Sequence, residues 1–137
     1  MDLIPSIDVT ASALQASKYG MNITAENIAN QFTTRGPDGK VYRAKEVSFE
    51  SLLMSTADGS IKNGVQVGEV TEDKTPGNKI YNPNHPHADE NGMLEMPNVN
   101  LSQEMVNLIE FNRNYEANLV VAKTSREMAR LTLRMGK

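Results

Sequence analysis

The residue types best suited to chemistry lie in one short segment, where His85 and His87 precede Asp89 and Glu90. Imidazole nitrogens and carboxylate oxygens are ligands that zinc and other divalent ions accept. Pro86 stiffens the link between the two histidines, however, and the sequence has no cysteine and no third histidine to complete a zinc site. The pattern is more typical of a rigid exposed loop than of a metal site, and we predict no metal and no cofactor.

Catalysis would need further groups around these histidines. A hydrolytic triad requires a nucleophile, a histidine base and an orienting acid, yet both histidines sit two residues apart on one proline-bracketed loop. The sequence has no glycine-rich phosphate loop and no nucleophile elbow. None of its 17 acidic residues is marked out as a catalytic pair. We therefore predict that the protein is not an enzyme and has no small-molecule substrate.

The composition favours an elongated protein that depends on neighbours. Hydrophobic residues make up 39% of the 137 residues, but aromatic residues only 5%, and tryptophan is absent, so large core anchors are scarce. The formal net charge of −3 argues against a nucleic-acid partner. No apolar run approaches the ~18 residues of a membrane span. The first residues lack a secretory signal pattern, so if the protein leaves the cytoplasm, we expect a route that leaves the sequence intact.

Apolar residues repeat at steps of three and four near each end of the chain, which predicts two amphipathic helices. The first seam comprises Ile4, Ile7, Ala11, Leu14, Met21, Ala25 and Ile28, with Lys18 in the remaining slot. The second comprises Leu101, Met105, Leu108, Tyr115, Leu119, Ala122, Ala129 and Leu133, with Asn112 and Arg126 in the polar slots. Seams this narrow must be buried by the other helix, by copies of the chain or by a partner.

The middle of the chain predicts short strands separated by turns. Alternating residues suggest strands at 41–43, 47–49, 61–70 and 80–81, and turn residues occur at 36–39, 58–60, 63–64 and 75–78. The predicted fold is α+β, with the N- and C-terminal helices paired as a coiled-coil-like arm and a small β-rich insert between them. We assign 1–30 to the N-terminal helix, 31–100 to the insert and 101–137 to the long C-terminal helix.

Three local features bear on the helices. Asn100 is a suitable N-cap, and Gln103 is placed to complete a capping box. Gly20 marks a bend or a close contact, unless the helix simply tolerates it. Arginines 126, 130 and 134 share one helical face, which is either solvated or a contact stripe for an acidic neighbouring helix.

Short motifs follow one another in a set order. They are residues 27–30 (NIAN) with 33–35 (TTR), 42–43 (YR) with 46–50 (EVSFE), 81–92 (YNPNHPHADENG), 96–100 (MPNVN) and 115–118 (YEAN). The first motif resembles the N-terminal signature of bacterial flagellar rod and hook proteins. The His-Pro loop, the Pro-Asn-Val-Asn run and the chain length resemble the FlgC family of proximal rod proteins in particular.

This resemblance implies a structural subunit of the proximal rod of the flagellar basal body. It implies type III export without cleavage, followed by helical assembly through the terminal helices. The implied partners are neighbouring FlgC copies, the rod proteins FlgB, FlgF and FlgG, the FliE adaptor and the flagellar export apparatus. The implied location is the rod that spans the periplasm.

The expected assembly interface combines the two seams with the asparagine motifs. Its residues are Ile7, Ala11, Leu14, Met21, Asn27, Ile28, Ala29, Asn30, Pro97, Asn98, Val99, Asn100, Met105, Leu108, Tyr115, Leu119 and Ala122. The alternative function is a coiled-coil adaptor or chaperone that binds partners transiently without polymerising.

Overall fold

The computed structural model of the chain describes residues 7–55 and 61–136. Its elements are α1 (Ile7–Ala29), β1 (Lys45–Ser55), β2 (Ile61–Glu72), β3 (Lys79–Tyr81), β4 (Met93–Glu95) and α2 (Leu101–Met135). β1 pairs with β2 and β3 with β4, each pair antiparallel. Two helices thus flank a small β insert, which confirms the predicted α+β fold. Neither helix has an apolar stretch long enough to cross a membrane within the described ranges.

The two helices pack against each other in opposite directions. Asn27, near the end of α1, meets Glu104 in the first turn of α2, and Gly20 lies against Phe111. A methyl group on Gly20 would come within 2.6 Å of the Phe111 ring. Gly20 therefore marks a close contact between the helices, which was one of its three interpretations beside a bend and simple tolerance.

The face of α1 turned toward α2 and β2 is built from small and polar residues rather than from the apolar seam. Its buried members are Thr10, Ser12, Ala16, Ser17, Gly20, Thr24 and Asn27. Hydroxyl groups on this face are satisfied locally, because Ser17 Oγ donates to the Ala13 carbonyl at 2.9 Å. Small side chains let the helix backbones approach closely, as Gly20 does for Phe111. The prediction of paired helices is confirmed, but the seam is not the paired face.

The seam of α1 is instead turned partly toward solvent. Ile7, Leu14, Met21 and Ile28 are half-buried, and Ala11 is exposed. At about 100° per residue, these positions lie roughly a quarter turn around α1 from the buried Gly20 and Asn27. The pattern of apolar residues therefore identified a stripe that the fold of a single chain leaves incompletely covered. Ile4, the first predicted seam residue, lies outside the described residues.

The β1–β2 hairpin is a long ribbon that lies along α1. The Val65 backbone N–H donates to Ser12 Oγ at 3.1 Å, and Phe49 meets Phe111 edge-on with ring centroids 5.9 Å apart. The strand ladder shifts register between Val47 and Phe49. At this shift the Ser48 hydroxyl accepts from the Glu69 N–H at 2.9 Å and donates to the Glu69 carbonyl at 3.0 Å.

Two details of the predicted insert are wrong. Asn63 and Gly64 are not a turn, because they pair with Leu53 and Leu52 inside the ribbon. The ladder continues past them to Ile61, so extended pairing overrides their turn propensity. Residues 41–43 are not a strand. The strands predicted at 47–49, 61–70 and 80–81 are confirmed, β4 was not foreseen, and the turn predicted at 58–60 lies outside the described residues.

The ends of α2 follow their local signals. Asn100 caps the helix, with its side-chain oxygen accepting from the N–H groups of Ser102 at 3.1 Å and Gln103 at 3.3 Å. The reciprocal half of the capping box is absent, because the Gln103 side chain donates to Asn107 instead, at 3.0 Å. Gly136 follows the last helical residue and donates its N–H to the Thr132 carbonyl.

Candidate assembly interface

Asn27 joins three parts of the chain where α1 ends and α2 begins. Its Oδ1 accepts from the Tyr42 hydroxyl and from the Lys45 backbone N–H, both at 2.9 Å. Its Nδ2 donates to the Lys45 carbonyl at 2.9 Å and to Glu104 Oε1 at 3.1 Å. The side chain is only 1% exposed. Four hydrogen bonds therefore satisfy this buried amide within the chain and set the register of α1, β1 and α2.

The electrostatics of this junction follow from burial. Loss of water raises the pKa of the Glu104 carboxyl, with nearby Glu46 adding to the shift and the hydrogen bond from Asn27 opposing it. Burial also raises the pKa of Tyr42 to about 12, and the negative charges of neighbouring glutamates add to this effect. Tyr42 therefore stays a hydroxyl donor at neutral pH. A salt bridge between Lys45 and Glu26 closes the outer side of the junction.

Asn98 forms a second junction, between the start of β1 and the approach to α2. Its Oδ1 accepts from the Ala44 N–H at 2.8 Å. Its Nδ2 donates to the carbonyls of Asp73 at 2.9 Å and Thr75 at 3.1 Å. Arg43 strengthens the same region, since its guanidinium bonds both the Thr75 carbonyl and the Glu95 carboxylate at 2.8 Å. The asparagine motifs at 27–30 and 96–100 thus hold the insert to the helices.

The remaining asparagine of the first motif closes α1. Asn30 Nδ2 donates to the Glu26 carbonyl at 2.9 Å, and its Oδ1 accepts from the Thr33 hydroxyl at 3.1 Å. The chain then turns through 36–40, where the Gly36 N–H bonds the Lys40 carbonyl at 2.7 Å. Gly39 has a φ of 76°, which suits glycine in this predicted turn.

The His-Pro loop is internally braced. The Asp89 carboxylate accepts from the N–H groups of Asn91 at 2.9 Å and Met93 at 2.8 Å. His85 Nδ1 accepts from the His87 N–H at 3.1 Å, and the two rings meet edge-on with centroids 5.1 Å apart. His87 Nδ1 shares a hydrogen bond with the Thr34 hydroxyl at 2.8 Å. The loop therefore acts as a rigid brace against the linker that follows α1.

The surroundings of His87 favour its neutral form. Burial lowers the pKa of His87, and the positive charge of Arg35 adds to the shift. Across residues 7–55 and 61–136, no group of three or more His, Asp or Glu side chains is arranged to hold a metal ion.

The structure separates the predicted interface residues into two kinds. Asn27 and Pro97 are buried, and the side chain of Asn98 is bonded within the chain, so these residues can act on assembly only by shaping the fold. The side chains of Asn30 and Asn100 are likewise bonded within the chain. The others are half-buried or exposed: Ile7, Ala11, Leu14, Met21, Ile28, Ala29, Val99, Met105, Leu108, Tyr115, Leu119 and Ala122.

One further stripe was missed by the sequence interpretation. Several large apolar residues on the outward side of α2 are about half exposed or more, among them Val106, Ile109, Val120 and Leu131. They follow an eleven-residue repeat rather than a seven-residue one. Counting apolar residues at this longer period would have found them.

Comparison with known proteins places this architecture in a family. A family model described as the C-terminal part of flagellar basal body rod FlgEFG proteins matches residues 90–135, which contain β4 and α2. The flagellar basal-body rod protein FlgC of Salmonella typhimurium is 40% identical over 137 residues, covering 100% of both chains. The chain belongs to the FlgC family. FlgC of Bacillus subtilis is 37% identical over 150 aligned residues, covering 100% of both chains. FlgC of Borreliella burgdorferi is 36% identical and covers 97% of both.

Membership in the FlgC family confirms the resemblance read from the short motifs. FlgC proteins are structural proteins of the basal-body rod, and theirs is not an enzyme family. The matches span both helices and the insert, so the sequence similarity to FlgC relatives covers every described element. The alternative of a transient adaptor or chaperone receives no support from these relatives.

Proposed function

We propose that this chain is a structural subunit of the proximal rod of the flagellar basal body and that it assembles helically through α1 and α2. Its similarity to FlgC proteins over the full length of the chain carries the proposal. The rod, as a structure of many subunits, needs surfaces that remain uncovered within one chain.

The helices supply such surfaces. Ile7, Leu14, Met21 and Ile28 of the α1 seam are half-buried, and Met105 of the second seam is 49% exposed. Removing such side chains from water contributes roughly 25 cal/mol for each Å² of apolar surface buried. Contacts with neighbouring subunits are therefore favoured over solvent at both helices.

The finer features of the proposal follow the family resemblance. The chain would be exported uncleaved by the flagellar type III apparatus and would then contact FlgC copies, FlgB, FlgF, FlgG and FliE. Segments 1–30 and 101–137 would form the axial core, and 31–100 would form an insert that contacts adjacent subunits. We propose no catalytic activity, because the loop that holds both histidines is used for internal hydrogen bonds.

A test is deletion of the gene in its own bacterium, followed by complementation with an epitope-tagged copy. The proposal expects loss of swimming on deletion, recovery on complementation, and the tagged chain in purified basal bodies. An adaptor or chaperone would instead be needed for assembly yet be missing from washed basal bodies. Normal swimming and complete rods in the deletion strain would refute a structural role.

A further inference from the structure

His85 holds the backbone of the His-Pro loop through a ring nitrogen. Its Nδ1 lies 3.1 Å from the backbone nitrogen of His87, two residues along the chain, and accepts the N–H of that residue. A ring nitrogen that accepts a hydrogen bond carries no hydrogen of its own. In the neutral ring of His85, the single N–H hydrogen is therefore on Nε2.

The same short-range contact occurs at other turns of the chain, but there the acceptor is an oxygen. A side-chain oxygen accepts from the N–H two residues further on at Asp38, Asp73, Asp89 and Asn100, over distances of 2.8 to 3.1 Å. Such contacts fix a turn by mimicking a backbone hydrogen bond. Within residues 7–55 and 61–136, only His85 makes this contact through an imidazole.

An imidazole responds to acid differently from these oxygens. Its Nδ1 has a single lone pair, so a proton that binds there converts the acceptor into a donor. Two N–H groups would then point at each other, and the hydrogen bond between His85 and His87 would be lost. Histidine takes up its proton between about pH 5 and 8, whereas aspartate does so near pH 4 and an amide does not titrate at all.

Loss of this bond would affect more than the loop, because His87 also contacts the linker between α1 and β1. Its Nδ1 shares a hydrogen bond with the Thr34 hydroxyl at 2.8 Å. A hydroxyl can donate or accept, so this bond tolerates either protonation state of His87. It does require the backbone of His87 to stay in place, however, and His85 holds that backbone.

The electrostatic surroundings make His85, rather than His87, the ring that takes up a proton. Burial lowers the pKa of His87, and the positive charges of Arg35 and His85 add to the shift. The two rings meet edge-on with centroids 5.1 Å apart. Because two positive charges at this distance repel each other, the pair takes up its first proton on one ring only.

Other charged groups near His87 come from every element that surrounds it. A cavity of about 210 Å³ is lined by His87 together with Arg35 of the linker, Lys79 of β3, Glu95 of β4 and Asp89 of the loop itself. Glu95 is already paired with Arg43 at 2.8 Å, and the Asp89 carboxylate accepts two backbone N–H groups. The two cations therefore face carboxylates that are already engaged, and they oppose a charged His87.

We propose that His85 is an acid-sensitive switch in the His-Pro loop. Above about pH 7, its Nδ1 accepts the N–H of His87 and fixes the loop against Thr34. Below about pH 6, a proton on Nδ1 breaks this bond and loosens both the loop and the linker that it braces. The switch belongs to the single chain, so its test is independent of the proposed rod function.

Two substitutions separate the acceptor from the proton. His85→Asn places an amide oxygen as many bonds from the backbone as Nδ1, as Asn100 does at its own turn, so it can accept the N–H of His87 but cannot take up a proton. His85→Ala removes the acceptor at every pH. The measurement is hydrogen exchange of the His87 amide by NMR, in the purified full chain at pH 7.5 and pH 5.

The protection factor of this amide is the exchange rate corrected for its intrinsic pH dependence. We expect it to fall at least about threefold from pH 7.5 to pH 5 in the unaltered chain, because a net hydrogen bond is lost. It should stay constant in His85→Asn and be low at both pH values in His85→Ala. Constant protection in the unaltered chain, or an equal fall in His85→Asn, would overturn the switch.

Urea unfolding tests the same switch through stability. Because the unfolded chain lacks this bond, proton uptake by His85 favours unfolding, and the stability that the bond contributes falls as pH falls. Glu104 acts in the opposite direction, but it is present in every variant and cancels in the comparison. Between pH 7.5 and pH 5, we expect the folded-to-unfolded ratio to decrease at least about threefold more in the unaltered chain than in His85→Asn. Equal decreases would contradict the proposal.

A third measurement needs no substitution and serves if a variant fails to fold. The nitrogen shifts of the His85 ring in the unaltered chain should show a hydrogen on Nε2 and none on Nδ1 at pH 7.5. A hydrogen on Nδ1 at that pH would overturn the switch, since the ring could not then accept the N–H of His87.

Discussion

Replacement of Gly20 by alanine offers the sharpest test of the helix pairing, because two effects of opposite sign compete. Alanine favours a helix over glycine by up to ~1 kcal/mol when nothing else changes. In the paired helices, however, the new methyl carbon would lie 2.6 to 2.8 Å from three atoms of the Phe111 ring. A normal contact requires at least about 3.4 Å, so the ring must move by close to 1 Å.

The Phe111 ring is not free to move without loss, since it also contacts Phe49. Overpacking of this kind typically costs ~1–3 kcal/mol. After the gain in helix propensity, we expect Gly20→Ala to lower the free energy of unfolding by up to about 2 kcal/mol. Urea unfolding of the purified full chain, followed by circular dichroism at 222 nm, measures this change.

A second variant identifies the cause. Phe111→Leu removes the ring that obstructs the methyl group, so Gly20→Ala should be neutral or stabilising in that background. The free energies of the two substitutions would then be non-additive, as expected for residues in contact. Stabilisation by Gly20→Ala in the otherwise unaltered chain would show that α1 and α2 do not pack at this point in solution.

The other predictions concern the Asn27 junction and the second seam. Asn27→Ala removes four hydrogen bonds and leaves the Lys45 backbone and Glu104 without their partner. At ~1 kcal/mol or more per bond, the free energy of unfolding should fall by about 3–4 kcal/mol. A decrease below ~1 kcal/mol in unfolding studies would contradict the structural role of Asn27. Because the pKa of Glu104 is raised on folding, its ionised form opposes folding, and stability should rise as pH falls from 7 toward the ordinary value of 4.5. Glu104→Gln, which keeps an acceptor for Asn27, should remove this part of the pH dependence, and an unchanged pH profile in urea unfolding would refute the assignment. Leu119→Asp should abolish incorporation into basal bodies, because a neighbour would have to bury an unpaired charge, and normal motility of such a strain would count against the second seam.

The helices could be predicted from the sequence because each carries a long periodic pattern and because the ends of α2 are marked by nearby residues. The seam period, the N-cap at Asn100 and the terminal Gly136 each depend on residues a few positions apart. The face by which α1 packs was not predictable in the same way. A periodic pattern assigns Ser17 and Thr24 to a polar surface, although both are buried. Only the contact of Gly20 with Phe111 shows that this face of α1 packs against α2.

The insert was harder to predict because its structure depends on distant partners. Asn63 and Gly64 carry a strong turn signal, yet the ladder to Leu52 and Leu53 holds them extended. Asn27 was predicted as an interface residue, without its hydrogen-bond partners. Those partners, Tyr42, Lys45 and Glu104, lie 15 to 77 residues away, and no local pattern connects them.

The small apolar core of the chain bears on its proposed export as well as on its assembly. Among the described residues, the buried hydrophobic side chains are Ala16, Ala44 and Leu94, together with Pro97. Because so little apolar surface is buried, the free energy of unfolding of a single molecule is small. Such a molecule would unfold under a modest force, which suits the proposed type III export. In the proposed rod, the apolar surface that a single chain leaves exposed is buried against neighbouring subunits and stabilises the assembly.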